Sequence, residues 1–234
     1  MPRSAKDTCY HEIKMRILQT ELAPGVALDE TQLAAQYALS RTPLREVIQR
    51  LAGEGYVTLT EHRGAKVSSM DVGVMRTFFQ TAPMIYAHVS RLAAEHRTAA
   101  QLETLQMTQN NFANAADRGD AGAAALANHS FHALIGAMAH NPYLGASLQR
   151  LLIDHTRLSQ TFYRPKSAAE TTLIEKASAQ HDEMIAAIAK RDAGLAMDIT
   201  LEHWGLSRDQ MERYVRPDPL PLDVVSLKEK RNAV

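Results

Sequence analysis

Cysteine is nearly absent: Cys9 is the only one in 234 residues. A single thiol allows no disulfide within the chain and no thiolate cluster for a metal. Any metal site would therefore use imidazole or oxygen ligands. Cys9 itself is expected to be a bystander near a mobile end. An excess of one charge is also missing, since 26 Lys and Arg balance 26 Asp and Glu. Without a global basic field, a protein that coats nucleic acid indiscriminately is disfavoured. A reader whose positive charge sits on one helix is not. No apolar run approaches the length that spans a bilayer, and the first residues lack the apolar core of a secretory leader. The expectation is a soluble, cytoplasmic protein with no membrane partner. There is no internal repeat and no low-complexity segment. The length suffices for one large or two small domains with real cores.

What is present concentrates first in residues 10–68. Tyr10, Ile13, Ile17 and Leu18 have helical periodicity, and Pro24-Gly25 breaks the chain after them. A short helical segment over 30–38 carries Leu33, Ala34 and Tyr37. The turn Ala38-Leu39-Ser40 leads into a helix over 41–51 with Pro43 in its first turn. Either Ser40 or Thr42 is expected to cap it. Leu44, Val47, Ile48 and Leu51 form one apolar face of that helix. Arg41, Arg45 and Gln49 are four residues apart and share the opposite side. Two short helices with a tight turn make a helix-turn-helix. An Arg-Arg-Gln row on the second helix suits a DNA major groove, where arginine bonds guanine edges or phosphates and glutamine can pair with adenine.

The hairpin that follows strengthens this. Gly55-Tyr56-Val57-Thr58-Leu59-Thr60 and Ala65-Lys66-Val67-Ser68 alternate like strands around Glu61-His62-Arg63-Gly64. Such a hairpin would be a wing with Arg63 and Gly64 at its tip. The fold class expected is mainly α: an N-terminal winged helix-turn-helix over 7–69, a linker over 70–73, and an all-α antiparallel bundle over 74–215. The stretch 216–234, opening on a proline-rich run, is expected to be a mobile tail.

In the second half, Ala, Leu, Met and Ile dominate and breaks fall at helix-length intervals. Helices are expected near 74–97, 99–117, 121–140, 142–163, 168–190 and 193–215, punctuated by Arg118-Gly119-Asp120, Asn141-Pro142 and Arg191-Asp192. Ser167 and Glu170 have capping-box spacing, and Asp192 suits the start of the last helix. Asn128 and His132, four apart, project from one face of a helix. His181 and His203 lie on two later helices among apolar neighbours. Three imidazoles from three helices can converge on one cation, with the Asn128 amide oxygen as a fourth ligand. That donor set suits zinc best, with nickel or manganese as alternatives. His129, His140 and His155 are near enough in sequence to be rival ligands or groups that support the ligands, though a surface or structural place is expected for each. Glu183 and Glu202 adjoin the histidines but point elsewhere, so no general base for a hydrolytic metal centre is placed and an enzyme is not expected.

The words Pro24-Gly25, Leu33-Ala34, Ser40-Arg41-Thr42-Pro43-Leu44-Arg45-Glu46, Leu51-Ala52-Gly53-Glu54-Gly55-Tyr56-Val57 and Arg63-Gly64-Ala65-Lys66-Val67 resemble the winged-helix domain of GntR-type bacterial transcriptional regulators. Residues 74–215 resemble the FCD effector domain of the FadR/VanR branch. The matching words are Asn128-x-x-Phe131-His132, Asn141-Pro142-x-Leu144, His181-x-x-x-Ile185-x-x-Ala187-Ile188, Asp192 and His203. The resemblance implies operator contacts by Arg41, Thr42 and Arg45, with the wing tip at Arg63 and Gly64 on the minor groove or backbone. Thr31 and Arg50 are lesser candidates, and Arg50 could instead pair with Glu46. The resemblance also implies a divalent metal on His132, His181 and His203 that helps hold a small carboxylate effector. Two departures stand out. Asn128 occupies the place of an aspartate, and Ala82 and Tyr86 occupy those of an arginine and a glutamate that help bind the effector. Tyr86 and Arg157 are therefore the remaining effector-binding candidates. The implied protein is a homodimer on double-stranded operator DNA, nucleoid-associated when bound, and a repressor relieved by its ligand. The alternative is a metal sensor in which the cation is itself the effector.

Overall fold

A computed structural model describes residues 4–60 and 64–213, with no side-chain description for 207 and 209–213. The first three helices and a hairpin form one layer. Helix α1 (Ala5–Leu18) starts on Ser4, whose hydroxyl accepts from the Asp7 amide, and buries Cys9, Tyr10, Ile13 and Ile17. Helix α2 (Glu30–Gln36) starts on Asp29, which accepts from the amides of Thr31 and Gln32. Ala38 turns the chain with φ 52°. Helix α3 (Arg41–Glu54) follows, burying Leu44, Val47, Ile48 and Leu51 as its periodicity predicts. Ser40 occupies the N-cap position, but neither it nor Thr42 supplies the expected side-chain cap. Strands β1 (Val57–Thr60) and β2 (Gly64–Val67) pair antiparallel, Val57 with Val67 and Thr60 with Gly64. Val57, Ala65 and Val67 point into the core, and Thr58, Leu59 and Thr60 face out.

Cys9 lies in the core of the winged layer rather than near a mobile end. It is fully buried beside Ile13 and Ile17, and burial raises its thiol to about 11. A thiol held so far from ionisation is a small core hydrophobe rather than a reactive group.

Six further helices form the bundle: α4 (Val72–His96), α5 (Ala99–Asp117), α6 (Ala121–Met138), α7 (Pro142–Phe162), α8 (Ala168–Ala189) and α9 (Ala193–Arg213). Their starts are capped by polar side chains, among them the expected Asp192. Asn141 accepts from the amides of Tyr143 and Leu144, Asp192 from that of Leu195. Ser167 accepts from the Glu170 amide, but the Glu170 carboxylate reaches back to the Lys166 amide rather than closing the expected box. The reciprocal pair forms at Thr98 and Gln101 instead. Helix α4 begins at Val72 and runs through Pro83 without interruption. Residues 214–234, expected as a tail, lie outside the described residues.

The bundle core runs from Met75, Phe78 and Tyr86 on α4 through Phe131 and Ile135 on α6, Leu148 and Leu152 on α7, and Met184 and Ile188 on α8 to Trp204 on α9. Helix α7 also faces the winged layer, where Ile153 joins the cluster built by α1 and α3. Burying such a side chain contributes about 1.5–3 kcal/mol, so the two layers share apolar surface as well as a covalent link. Among the described residues, no helix is long and apolar enough to cross a membrane.

Candidate functional site

On the winged layer, Arg41, Thr42, Arg45 and Gln49 are all exposed on α3, and Gly64 is exposed at the start of β2. Between α3 and the hairpin runs a groove of about 760 Å³ lined by Thr31, Arg41, Arg45, Gln49, Thr60 and Gly64, among others. Gly64 has φ 73°, and a Cβ there would sit 3.4 Å from the Glu30 carboxylate. The wing thus turns where only glycine is unstrained. Arg63 lies outside the described residues. Arg50 behaves differently from its neighbours. Its guanidinium lies 3.7 Å from the Tyr10 ring centroid and bonds Glu54 at 3.1 Å, while Glu46 pairs with Lys6. Arg50 therefore braces α3 against α1, and the pairing with Glu46 considered from sequence is not made.

In the bundle, α6, α8 and α9 bring His132, His181 and His203 together. One ring nitrogen from each lies within 4.8 Å of the others. All three are buried, as is Asn128 one turn before His132 on the same face of α6. Four polar atoms in this chamber have no hydrogen-bond partner: Asn128 Oδ1, His132 Nε2, His181 Nε2 and His203 Nδ1. Leaving one such group unpaired costs about 1–3 kcal/mol. The three imidazoles lie close enough to share one cation, with Asn128 a turn away on α6.

The protonation pattern agrees. Gln109 donates through Nε2 to the carbonyl and hydroxyl of Ser178, so its Oε1 faces His181 Nδ1, at 2.8 Å, as an acceptor. The proton of His181 is then on Nδ1, and its Nε2 lone pair points free. Burial, reinforced by the neighbouring histidines, holds His132 and His181 well below the usual histidine range, and burial alone brings His203 to about 4. At neutral pH all three are uncharged imidazoles, the form that ligates metal.

His155 completes the chamber wall. Its Nδ1 is 2.8 Å from the Tyr86 hydroxyl and its ring centroid 5.5 Å from that of His132. Burial pulls His155 down to about 3 and pushes the Tyr86 phenol well above its ordinary value. Tyr86 thus stays protonated and shares a hydrogen bond with His155. Ala82, a turn earlier on α4, is buried and offers no polar group. Beside His203 a cavity of only about 10 Å³ is lined by His155, Ser159, Phe162, Tyr163 and Leu206. The other rival histidines lie elsewhere: His129 bonds the Thr156 hydroxyl at 2.7 Å, and His140 stands near His96.

Arg157 does not join this chamber as an effector ligand. It is wholly buried, with Nη1 donating to the Ser68 carbonyl at 2.7 Å and Nη2 to Asp154. Sequence reading named His155 among the neighbouring histidines but missed Gln109 and Asp154. Gln109 had a detectable signal, because it interrupts the apolar stripe Leu105, Phe112 and Ala115 on α5.

Comparison with known proteins agrees with both halves. The FCD domain family matches residues 79–206, and the family "Bacterial regulatory proteins, gntR family" matches residues 5–67. The chain is similar to the Nta operon transcriptional regulator of Aminobacter aminovorans, 31% identical over 83 residues, covering 36% of this chain and 40% of that protein. It is 23% identical over 194 residues to the HTH-type transcriptional repressor RspR of Escherichia coli K12, with 83% of each covered. Among solved structures it resembles E. coli McbR/YncC, with TM-score 0.76 and 18% identity, covering 92% of this chain and all of that one.

Proposed function

We propose how a chain that belongs to the GntR family of bacterial regulatory proteins, with an FCD domain as its second half, recognises DNA and is switched. The protein is a DNA-binding transcriptional regulator and not an enzyme. In our reading residues 7–69 read the operator and residues 74–215 respond to a ligand and pair two copies. The observation that carries the DNA part is the exposed Arg41–Arg45–Gln49 row beside the wing groove. Arg45 and Gln49 reach base edges, Arg41 and Thr42 fix the helix on the backbone, and the Gly64 turn lets the wing approach the phosphates. One helix reads few base pairs, so a homodimer on a two-fold operator supplies affinity, with half-sites about one helical turn apart.

The four unpartnered chamber atoms support a divalent cation held by His132, His181, His203 and Asn128, zinc before nickel or manganese. Such a cation presents positive charge to a small carboxylate. Among the described residues no Arg or Lys lines the cavity beside His203, so the ion would be the carboxylate's counter-charge. Ser159 Oγ is unpartnered there, and Tyr86 with His155 flanks the ion. As in the similar RspR, named a repressor, occupancy would block transcription. The ligand would lower operator affinity by favouring another placement of the winged layer. The tightness of the chamber favours a second reading, in which the cation alone is the effector.

An operator fragment selected in vitro with the full chain tests the reading. Arg45→Ala should weaken binding by about 1–3 kcal/mol, roughly 5–150-fold, at unchanged thermal stability, because Arg45 is exposed. Unchanged affinity would mean that another surface meets the DNA. Zinc added without any organic ligand separates the two switch readings. A change in operator affinity on zinc alone favours the cation, and a change only with a small carboxylate favours the metabolite.

A further inference from the structure

Five residues form a closed circuit between the recognition helix and the bundle. Gly55 ends α3 with φ 89°. Its carbonyl accepts from the Ser68 hydroxyl at 2.6 Å. The Ser68 carbonyl accepts from Arg157 Nη1 at 2.7 Å, and Arg157 Nη2 donates to Asp154 Oδ1. Asp154 Oδ2 accepts from Arg150 Nη1 at 3.2 Å. Arg150 then lies back over Gly55, so closely that a Cβ there would fall 2.5 Å from Arg150 Cδ. The left-handed turn favours glycine at 55, and the bare Cα leaves room for the Arg150 side chain to lie against it. Gln160 adds a parallel tie, donating to the Leu18 carbonyl at the end of α1 at 3.3 Å.

Arg150, Asp154 and Arg157 follow i, i+4, i+7 spacing on α7. So do His155, Ser159 and Phe162, on a stripe about 140° around the same helix. One stripe grips the end of the recognition helix. The other walls the histidine chamber, where His155 meets Tyr86 and lines the cavity with Ser159 and Phe162. A packed helix moves as a unit, so α7 cannot be displaced at His155 without straining the circuit at Gly55 and Ser68. Coupling along such a contact chain needs direct evidence, and a double-mutant cycle supplies it.

We infer that Arg150, Asp154 and Arg157 are positioning residues for operator recognition, and that through them a change at the histidine chamber resets the end of the recognition helix. The inference extends the regulatory reading above but does not depend on the metal.

Amide hydrogen exchange on the full chain tests it, with two perturbations of the chamber: zinc alone, and Tyr86→Phe, which removes the hydroxyl on His155. Each should change exchange at Gly55–Val57 and Ser68–Asp71 by roughly 10-fold in the parent. In Arg157→Met the same perturbations should change those amides less than about twofold. Tyr86→Phe should still alter α7 around His155, and zinc should still protect α6, α8 and α9. A merely structural role would raise exchange in Arg157→Met but leave the response to Tyr86→Phe intact, and that result overturns the inference. So does a parent whose 55–57 and 68–71 amides ignore Tyr86→Phe. If zinc protects nothing, the metal reading has failed, and the Tyr86→Phe arm still decides this one. Should Arg157→Met not fold, Arg150→Met opens the circuit from its half-exposed end with the same expected outcome.

Discussion

Acid should unfold the metal-free protein with a midpoint near pH 5, as its sheltered histidines take up protons. Four buried histidines and the half-buried His129 set this expectation. Burial holds His129 at about 4, His155 at about 3 and His203 at about 4, and keeps His132 and His181 well below their ordinary value. All five are neutral in the fold, whereas each takes up a proton near pH 6.5 once unfolded. The unfolded chain therefore binds more protons throughout the interval from about 6.5 down to the folded values. Stability is complete above that interval and is lost as pH falls through it. One histidine moved from about 6.5 to about 4 accounts for about 3 kcal/mol. Domains of this size have about 5–15 kcal/mol to lose, so partial titration of five groups suffices. Trp204 is the natural reporter. It is the only tryptophan, and its ring centroid lies 5.1 Å from that of Tyr86 and 5.3 Å from that of His155. Its fluorescence should follow the helical circular dichroism in one transition, and His155→Phe should move the midpoint to lower pH. A signal flat down to pH 4 would show that these histidines gain protons without opening the fold.

The recognition helix was legible because its evidence is local. An apolar stripe, an arginine row and a glycine at the end are all written within fifteen residues, and the structure places α3 where they indicate. The punctuation of the bundle was legible for the same reason, since Asn141 and Asp192 cap helices through amides two or three residues away. The three converging histidines could be named from separate helices, but the chain alone could not say that they meet. Helix α7 marks where periodicity fails. Residues 152–157 are buried without interruption, because the bundle covers one side and the winged layer the other. A helix covered by two partners has no polar face to betray its orientation. Arg157 consequently read as a candidate for the ligand chamber when it faces Ser68, and the sequence left His155 open between a rival ligand and the supporting place it takes beside Tyr86. Arg50 misled for a related reason. Its partners Glu54 and Tyr10 compete with the equally spaced Glu46, and only tertiary packing of α1 on α3 decides among them.

Asn128→Asp should raise zinc affinity while lowering the stability of the metal-free protein, and the opposite signs are what make it diagnostic. Asn128 Oδ1 is buried and unpartnered, a turn from His132. Aspartate has nearly the same shape, so packing changes little, but it brings a negative charge into a chamber of neutral imidazoles. Without a cation, that charge must be desolvated or neutralised by a proton, at a cost of several kcal/mol. With zinc, it faces a formal positive charge in a poorly screened interior. An affinity gain of roughly 10–100-fold corresponds to about 1.4–2.7 kcal/mol. Competition against a chromophoric chelator would measure it. Melting in chelator and in excess zinc should then show the variant below the parent in the first and above it in the second, because saturation stabilises in proportion to the logarithm of affinity. His181→Ala serves as the reference, since it removes a ligand whose tautomer Gln109 sets and should abolish the zinc response altogether. If Asn128→Asp leaves zinc affinity unchanged while His181→Ala destroys it, the ion sits on the three imidazoles and Asn128 is a polar wall of the chamber. If neither substitution alters zinc uptake, the ion binds elsewhere, and the four unpartnered atoms await an organic ligand instead.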